Sequence, residues 1–331
     1  MNLAPVSRSL IALVAVVLLG MSVVGAVATS TAATPPKRLL VANQEASTLS
    51  LVDIDEMREL NVVSTAKGPA SMLYAAGLGK VFVSHPELGK VSVLDDATLR
   101  LSATFVVPGT PFGLAIDGSN RLWVTDWNSD RVSIVDARHG NMLATLRVGR
   151  APAGIAIYDG RAFVANRESD SVSVIDTARL EVIASIPVGR APFALAADDE
   201  RRRVLVVNVQ SGTLSTIDIR TLAQRTVPTG GTMPYGVTPL AEQQLILVVN
   251  QQSGTLTALD AKTLGVTKTI KIGSYPEGVV AAVTGKRAFI ANWFSDDISV
   301  VDLELGKEVA RIKVGKGPRS VLLGEFDAVE R

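Results

Sequence analysis

Beyond the first 37 residues the chain is built from short apolar runs of four to eight residues, rich in Val, Ile and Leu, each closed by Gly, Pro, Asn, Asp or Ser. Runs of that length with those boundaries read as β-strands. No segment in this region sustains the apolar spacing of an amphipathic helix. Residues 161–196 show one full cycle. Arg161–Asn166 and Ser171–Asp176 flank a polar turn; Glu181–Pro187 follows; a Val-Gly-Arg-Ala-Pro turn then leads into the small-residue run Phe193–Ala196. That cycle predicts a four-stranded antiparallel meander.

The cycle repeats. Aspartates ending an apolar run stand at Asp53, Asp95, Asp136, Asp176, Asp218, Asp260 and Asp302, separated by 42, 41, 40, 42, 42 and 42 residues. Prolines at Pro69, Pro111, Pro152, Pro192, Pro234, Pro276 and Pro318 keep the same separations. Ten residues before each aspartate stands Asn43, His85, Asp126, Asn166, Asn208, Asn250 or Asn292, and three before it a small hydroxyl: Ser50, Ser92, Ser133, Ser173, Ser215, Thr257 or Ser299. Seven four-stranded units at a period of about 41 residues predict an all-β, seven-bladed propeller spanning residues 38–326. The hydroxyls would let doubly buried sheets approach while still finding hydrogen-bond partners. The phase of the repeat matters as well. The first unit begins at a second strand and the last ends on an innermost one, so Pro318–Gly324 is expected to complete the first blade and leave no open edge.

At these columns the repeats resemble the YVTN β-propeller family. The naming tetrad is approximated by Trp123-Val124-Thr125-Asp126, Phe163-Val164-Ala165-Asn166 and Phe289-Ile290-Ala291-Asn292, and the likeness runs from Leu39 to Leu323. The resemblance implies an exported binding or surface module. It implies little about chemistry, because one scaffold hosts many functions. Related propellers in periplasmic dehydrogenases, nitrous oxide reductase and haem d1 proteins use several histidines. This chain has His85 and His139 alone.

Residues 1–28 supply the compartment. Arg8 precedes an uncharged stretch from Ser9 to Ala28, with an apolar heart at Leu10–Leu19 and Ala26-Val27-Ala28 at its end. This reads as a cleaved signal peptide followed by a flexible leader over 29–37, the alternative being an uncleaved membrane anchor. Residues 327–331 read as a tail. Export points to the periplasm or the cell exterior. Removal of Arg8 would bring the 33 Lys+Arg level with the 32 Asp+Glu. That balance does not suit a dedicated polyanion binder. With no cysteine there is no disulfide, thiolate metal site or thiol nucleophile. No cofactor and no metal site is expected, and the chain is expected to be monomeric.

The aspartate column reads as Asx turns and the asparagine column as a turn device, broken in two blades by His85 and Asp126. The glycines three before the prolines, among them Gly149, Gly189 and Gly231, read as turn formers. Aromatic residues depart from this structural monotony. In a propeller the loop entering each innermost strand and the loop between second and third strands open on one face. Phe112, Trp127, Phe193, Tyr235, Tyr275, Trp293 and Phe294 all fall in those loops. Rigid aromatic area on such loops suggests a recognition surface. Basic groups share the face at Lys67, Arg150, Arg167, Arg190, Lys316 and Arg319, and acidic ones at Glu45, Glu87, Asp126, Glu168 and Glu277.

The expected function is therefore a non-catalytic binding module. Its channel-mouth residues Phe112, Trp127, Arg167, Phe193, Tyr235, Tyr275, Glu277, Trp293, Phe294 and Arg319 would recognise a periplasmic protein partner or a small organic ligand. Family analogy adds a role accessory to a quinone- or haem-dependent dehydrogenase. The alternatives are single-stranded nucleic acid binding through base stacking and a metal-free lactonase or hydrolase using Glu277, Glu168 or Asp126.

Overall fold

The computed structural model describes residues 37–282 and 285–326. The signal peptide, most of the leader and the tail read from the sequence lie outside them. Within the described residues the fold is an all-β, seven-bladed propeller of seven four-stranded antiparallel sheets. Blades 2 to 7 occupy residues 72–106, 111–147, 152–187, 192–228, 234–271 and 276–313 in order, and two short 3-10 turns lie in blade 2. Blade 1 is made from both ends of the ring: Pro318–Gly324 pairs antiparallel with Arg38–Asn43, ahead of Thr48–Asp53 and Arg58–Ser64. The expected closure is present.

The second and third strands of each blade carry the core. Arg161–Asn166 and Ser171–Asp176 are buried almost throughout, whereas the outermost strand Glu181–Pro187 alternates toward solvent. Apolar residues of neighbouring blades interdigitate between the sheets. Phe163, Val172 and Val174 of blade 4, for example, share a cluster with Val204, Val206 and Ile217 of blade 5. A blade thus has no face of its own to give to solvent, which is why its two middle strands need not alternate apolar with polar residues.

The repeat columns have distinct jobs. Each aspartate caps its hairpin: Asp176 Oδ1 accepts from the backbone N–H groups of Ala178 and Arg179, both at 2.9 Å. The N–H of Arg179 is the main influence holding the Asp176 carboxyl below the usual carboxylate range. Its contribution to stability is present at neutral pH and is lost as pH falls through that lowered value. The asparagines are buried and cross-link two strands. Asn166 Nδ2 donates to Ser171 Oγ at 3.1 Å and Ser173 Oγ at 2.9 Å, and Asn166 Oδ1 accepts from the Gly149 N–H at 3.1 Å. The same asparagine-to-hydroxyl bond recurs from Asn43, Asn208, Asn250 and Asn292.

This corrects the reading of the glycine column. Gly149, Gly189, Gly231, Gly273 and Gly315 do not have positive φ. They are glycine because a Cβ would lie 2.3 to 2.6 Å from the asparagine side chain, or at Gly189 from Ser211. The left-handed backbone falls instead on the residue before the proline, as at Ala151, Ala191, Met233 and Tyr275. The asparagine column is correspondingly a strand cross-link rather than a turn former.

On the face opposite the proline loops, arginines that begin second strands reach across to the next blade. Arg121 Nη2 donates to the Thr177 carbonyl at 2.7 Å and Arg203 Nη2 to that of Ala261 at 2.5 Å. These staples leave no mark in hydropathy.

Two expectations follow for stability. Gly149→Ala should cost about 1–3 kcal/mol by forcing a cross-linked asparagine aside, whereas Ala191→Gly should be neutral or stabilising because it relieves a left-handed alanine; urea unfolding of both variants checks the contrast. Deleting residues 318–331 should abolish cooperative unfolding. A truncated protein that stays monomeric with an unchanged Tm contradicts the closure.

Candidate functional site

The innermost strands line a central channel, and what brings their tops together is a second small-residue column. Gly113, Gly154, Gly236 and Gly278 each stand two residues after a column proline. A Cβ at any of them would lie 2.3 to 2.6 Å from a carbonyl oxygen of the next blade, those of Ala153, Phe193, Glu277 and Arg319 respectively. Neighbouring backbones therefore approach closely. The residue directly after each proline converges on the channel mouth: Ala70, Phe112, Ala153, Phe193, Tyr235, Glu277 and Arg319, which all lie in the innermost strands or just before them. A second ring just above, one residue past the asparagine column, holds Gln44, Pro86, Trp127, Arg167, Val209, Gln251 and Trp293.

One half of the mouth is aromatic. Phe112 meets Trp127 edge-on at 5.0 Å between centroids and Phe193 at 5.6 Å, and Phe193 lies 4.0 Å from Tyr235. These rings cover a small apolar cluster of Ala153, Ala191 and Val209. Phe193 is buried, 7% exposed, and Phe112, Trp127 and Tyr235 are half-buried. Arg167 stacks over Trp127 at 5.6 Å.

The other half is polar and turns on Arg319. Its guanidinium lies 5.1 Å from the Phe112 ring centre and 5.6 Å from that of Trp293. Nη1 donates to Gln44 Oε1 at 2.7 Å and Nη2 to the Tyr235 hydroxyl oxygen at 2.9 Å. Nε stands 3.2 Å from Glu277 Oε2, yet that oxygen receives no directed hydrogen bond. The ion pair is close without being aligned. Glu277 Oε1 accepts from Gln251 Nε2 at 2.7 Å. Burial pushes the Glu277 carboxyl up to about 7 against the pull of Arg319, and burial likewise pushes the Tyr235 hydroxyl up to about 12. Tyr235 therefore stays protonated near neutral pH. Arg319, Glu277, Tyr235, Phe112 and Phe193 border a cavity of about 270 Å³ that all seven blades line and whose other walls include Leu114, Ile155, Leu195, Val237, Val279 and Val321.

Eight of the ten residues expected from the sequence fall in this constellation: Phe112, Trp127, Arg167, Phe193, Tyr235, Glu277, Trp293 and Arg319. The other two form a separate pair at the rim. Tyr275 and Phe294 stack on each other at 4.5 Å, and Phe294 is 65% exposed. Gln44 and Gln251 were missed, although their position beside Trp127, Arg167 and Trp293 in one repeat column marks them. Asp126 does not belong to the open face. It is buried, accepts from the Thr110 N–H and pairs with Arg131 at 2.9 Å, so it replaces the asparagine cross-link of its blade. Glu168 is exposed on its loop, away from these contacts. His85 is buried with Nδ1 at 3.1 Å from the Lys67 carbonyl, and burial lowers its pKa. His139 is exposed beside Asp136. Among the described residues no group of three His, Asp or Glu side chains could hold a metal ion.

No protein-family model matches the chain, and no curated protein matches its sequence. Solved structures share its fold. A functionally unknown protein from Desulfotomaculum acetoxidans superposes with a TM-score of 0.77 at 12% identity, over 88% of this chain and 99% of that one. A periplasmic gluconolactonase of Pseudomonas aeruginosa gives 0.72 at 16%, over 87% and 98%. Hydrazine synthase of Kuenenia stuttgartiensis gives 0.67 at 20%, over 76% and 88%. At these identities the shared property is the propeller.

The burial of Glu277 has a measurable consequence. Its folded pKa of about 7 exceeds the ordinary value of 4.5, so its contribution to stability is fully present below pH 4.5 and is lost as pH rises to about 7. Glu277→Gln cannot ionise. Its stability relative to wild type should therefore improve between pH 4.5 and 7 by an amount on the order of 3 kcal/mol, read from urea midpoints across that range.

Proposed function

We propose that this protein is an exported binding module of the YVTN-repeat kind, and that its channel mouth holds a small organic ligand. The observation that carries the reading is the ring of residues following the column prolines. The proline, hydroxyl and aspartate columns repeat the same residue types blade after blade to make one structure. In this ring the blades diverge into three aromatics, a buried carboxyl, an arginine and two alanines. Such divergence on a shared backbone is where recognition is added to a scaffold. A concave, mostly apolar cavity with a few convergent polar groups is the usual form of a small-molecule site. At about 270 Å³ it suits a ligand of modest size.

The apolar leader supports a site of action in the periplasm or outside the cell, as does the fold shared with a protein described as a periplasmic gluconolactonase. The exposed Phe294 beside Tyr275 supplies a rim on which a protein partner could rest. Glu277 favours a second reading as well. A buried carboxyl with a pKa near 7 is suited to proton transfer, and a lactone hydrolase would use it so. In that case Glu277→Gln would abolish hydrolysis of glucono-δ-lactone followed by acid release, and wild type without such activity removes this reading.

The binding reading is tested with a thermal-shift screen of small organic compounds combined with tryptophan fluorescence. Compounds that raise Tm should also change the emission of Trp127 and Trp293. Both effects should weaken by at least about tenfold in Kd with Phe112→Ala or Arg319→Gln, the size expected for loss of one good contact. Ligand binding unaffected by either substitution would place the site elsewhere.

A further inference from the structure

The balance of donors, acceptors and ring faces at the mouth selects among ligand classes. A guanidinium has five N–H groups. Arg319 uses two of them in directed bonds, to Gln44 and Tyr235. Its Nε–H is not aimed at Glu277 although the two groups are 3.2 Å apart. The Arg319 side chain is only 17% exposed, so a ligand at the mouth would meet a guanidinium already partly withdrawn from water. Arg319 lines the cavity with only two of its N–H groups in directed bonds to the protein.

The same geometry disfavours a cationic ligand. Aromatic boxes for ammonium groups need free ring faces. Here Arg319 already lies over Phe112 and Trp293, and Arg167 over Trp127. An incoming cation would meet two guanidiniums. A neutral ligand would offer Arg319 only uncharged acceptors, which bind a guanidinium more weakly than a carboxylate does. A carboxylate would accept from them in the forked geometry that arginine matches. The remaining wall combines Phe112, Phe193 and Tyr235 with aliphatic side chains such as Leu114, Val237 and Val279, against which an apolar body can be buried.

We propose that the channel mouth binds a flat organic anion, an aromatic system of one or two rings carrying a carboxylate, with the carboxylate on Arg319 and the rings against the Phe112 side chain and the aliphatic lining of the cavity. The inference rests on the reading of the mouth as a small-molecule site and names the class of ligand it takes. Glu277, 3.2 Å from Arg319 Nε, is then an internal competitor for the ligand carboxylate. Its unpartnered Oε2 can turn from acceptor to donor once protonated. The charged and titratable groups that face it are Arg319 from the closing strand and Tyr235 from blade 6, with Arg167 reaching the cluster from blade 4. When Glu277 is neutral, Arg319 is free to pair with the anion. When it is ionised, the two carboxylates compete. Ligand binding should therefore take up a proton above neutral pH, and affinity should fall as pH rises.

The test compares three naphthalene probes of equal shape, 2-naphthoate, 2-naphthalenemethanol and 2-naphthylmethylamine, by saturation-transfer NMR with the full-length mature protein. At a pH of about 6.5 naphthoate should bind with a Kd of about 1 mM or tighter, and the alcohol and amine at least about tenfold more weakly. Above a pH of about 7 the naphthoate affinity should fall, by up to about tenfold per pH unit for one proton taken up. Glu277→Gln should tighten naphthoate binding and remove the pH dependence. Arg319→Lys, which keeps the charge without the fork, should weaken it.

Equal or tighter binding of the alcohol or the amine, with the tryptophans still responding, overturns the anion assignment while the mouth remains a ligand site. Naphthoate binding that is independent of pH in wild type overturns the competition with Glu277. Binding of none of the three overturns the ligand class, while the small-molecule reading stands or falls separately on the thermal-shift screen.

Discussion

Burial of each blade on both faces is the constraint on which everything else rests. The middle strands of every sheet are almost wholly apolar toward both neighbours, so no blade has a stable surface until the blades on either side are present. That requirement propagates around the ring and ends at the join between Arg38–Asn43 and Pro318–Gly324. There the first and last segments of the fold make one sheet, and the glycine, asparagine and serine contact found inside other blades is assembled from Gly315, Asn43 and Ser50. A protein without a single cysteine gains its integrity from topology instead of cross-links.

The repeat made the fold legible. Strand positions, blade number and closure all follow from columns of Pro, Asn, Ser and Asp, because each column meets the same backbone requirement seven times. What the columns did not disclose is why a residue type was required. Gly149 and its equivalents look like turn glycines, yet their backbone is not left-handed. They are glycine because a buried asparagine lies against them, and a contact between loop and strand in the third dimension has no periodic trace of its own. The arginine staples of Arg121 and Arg203 were invisible for the same reason, since each partner is a backbone carbonyl and any residue supplies one.

The candidate site was legible through departure from the repeat. Phe112, Phe193, Tyr235, Glu277 and Arg319 occupy one column, and the sequence showed them as loop residues of unusual type. That Arg319 crosses to Tyr235 of blade 6 and Phe112 of blade 3, or that Tyr275 and Phe294 separate from the cluster, depends on how seven strands converge on a channel. Asp126 shows the converse. It departs from its column but stays inside the structural role of that column, exchanging an asparagine cross-link for an ion pair with Arg131.

Ligand binding is thus proposed at one end of one channel, where a regular scaffold carries an irregular ring of side chains centred on Arg319. The three tryptophans give that claim an internal control. Trp123 is fully buried, with its indole N–H on Asp117 at 2.8 Å, whereas Trp127 and Trp293 border the mouth. The most direct measurement is the two-dimensional proton–nitrogen NMR spectrum of the three indole N–H groups and the arginine Nε–H groups during titration with 2-naphthoate. The Trp127, Trp293 and Arg319 resonances should move together with Trp123 unmoved; a titration that leaves Arg319 and both mouth tryptophans in place would contradict binding at the mouth.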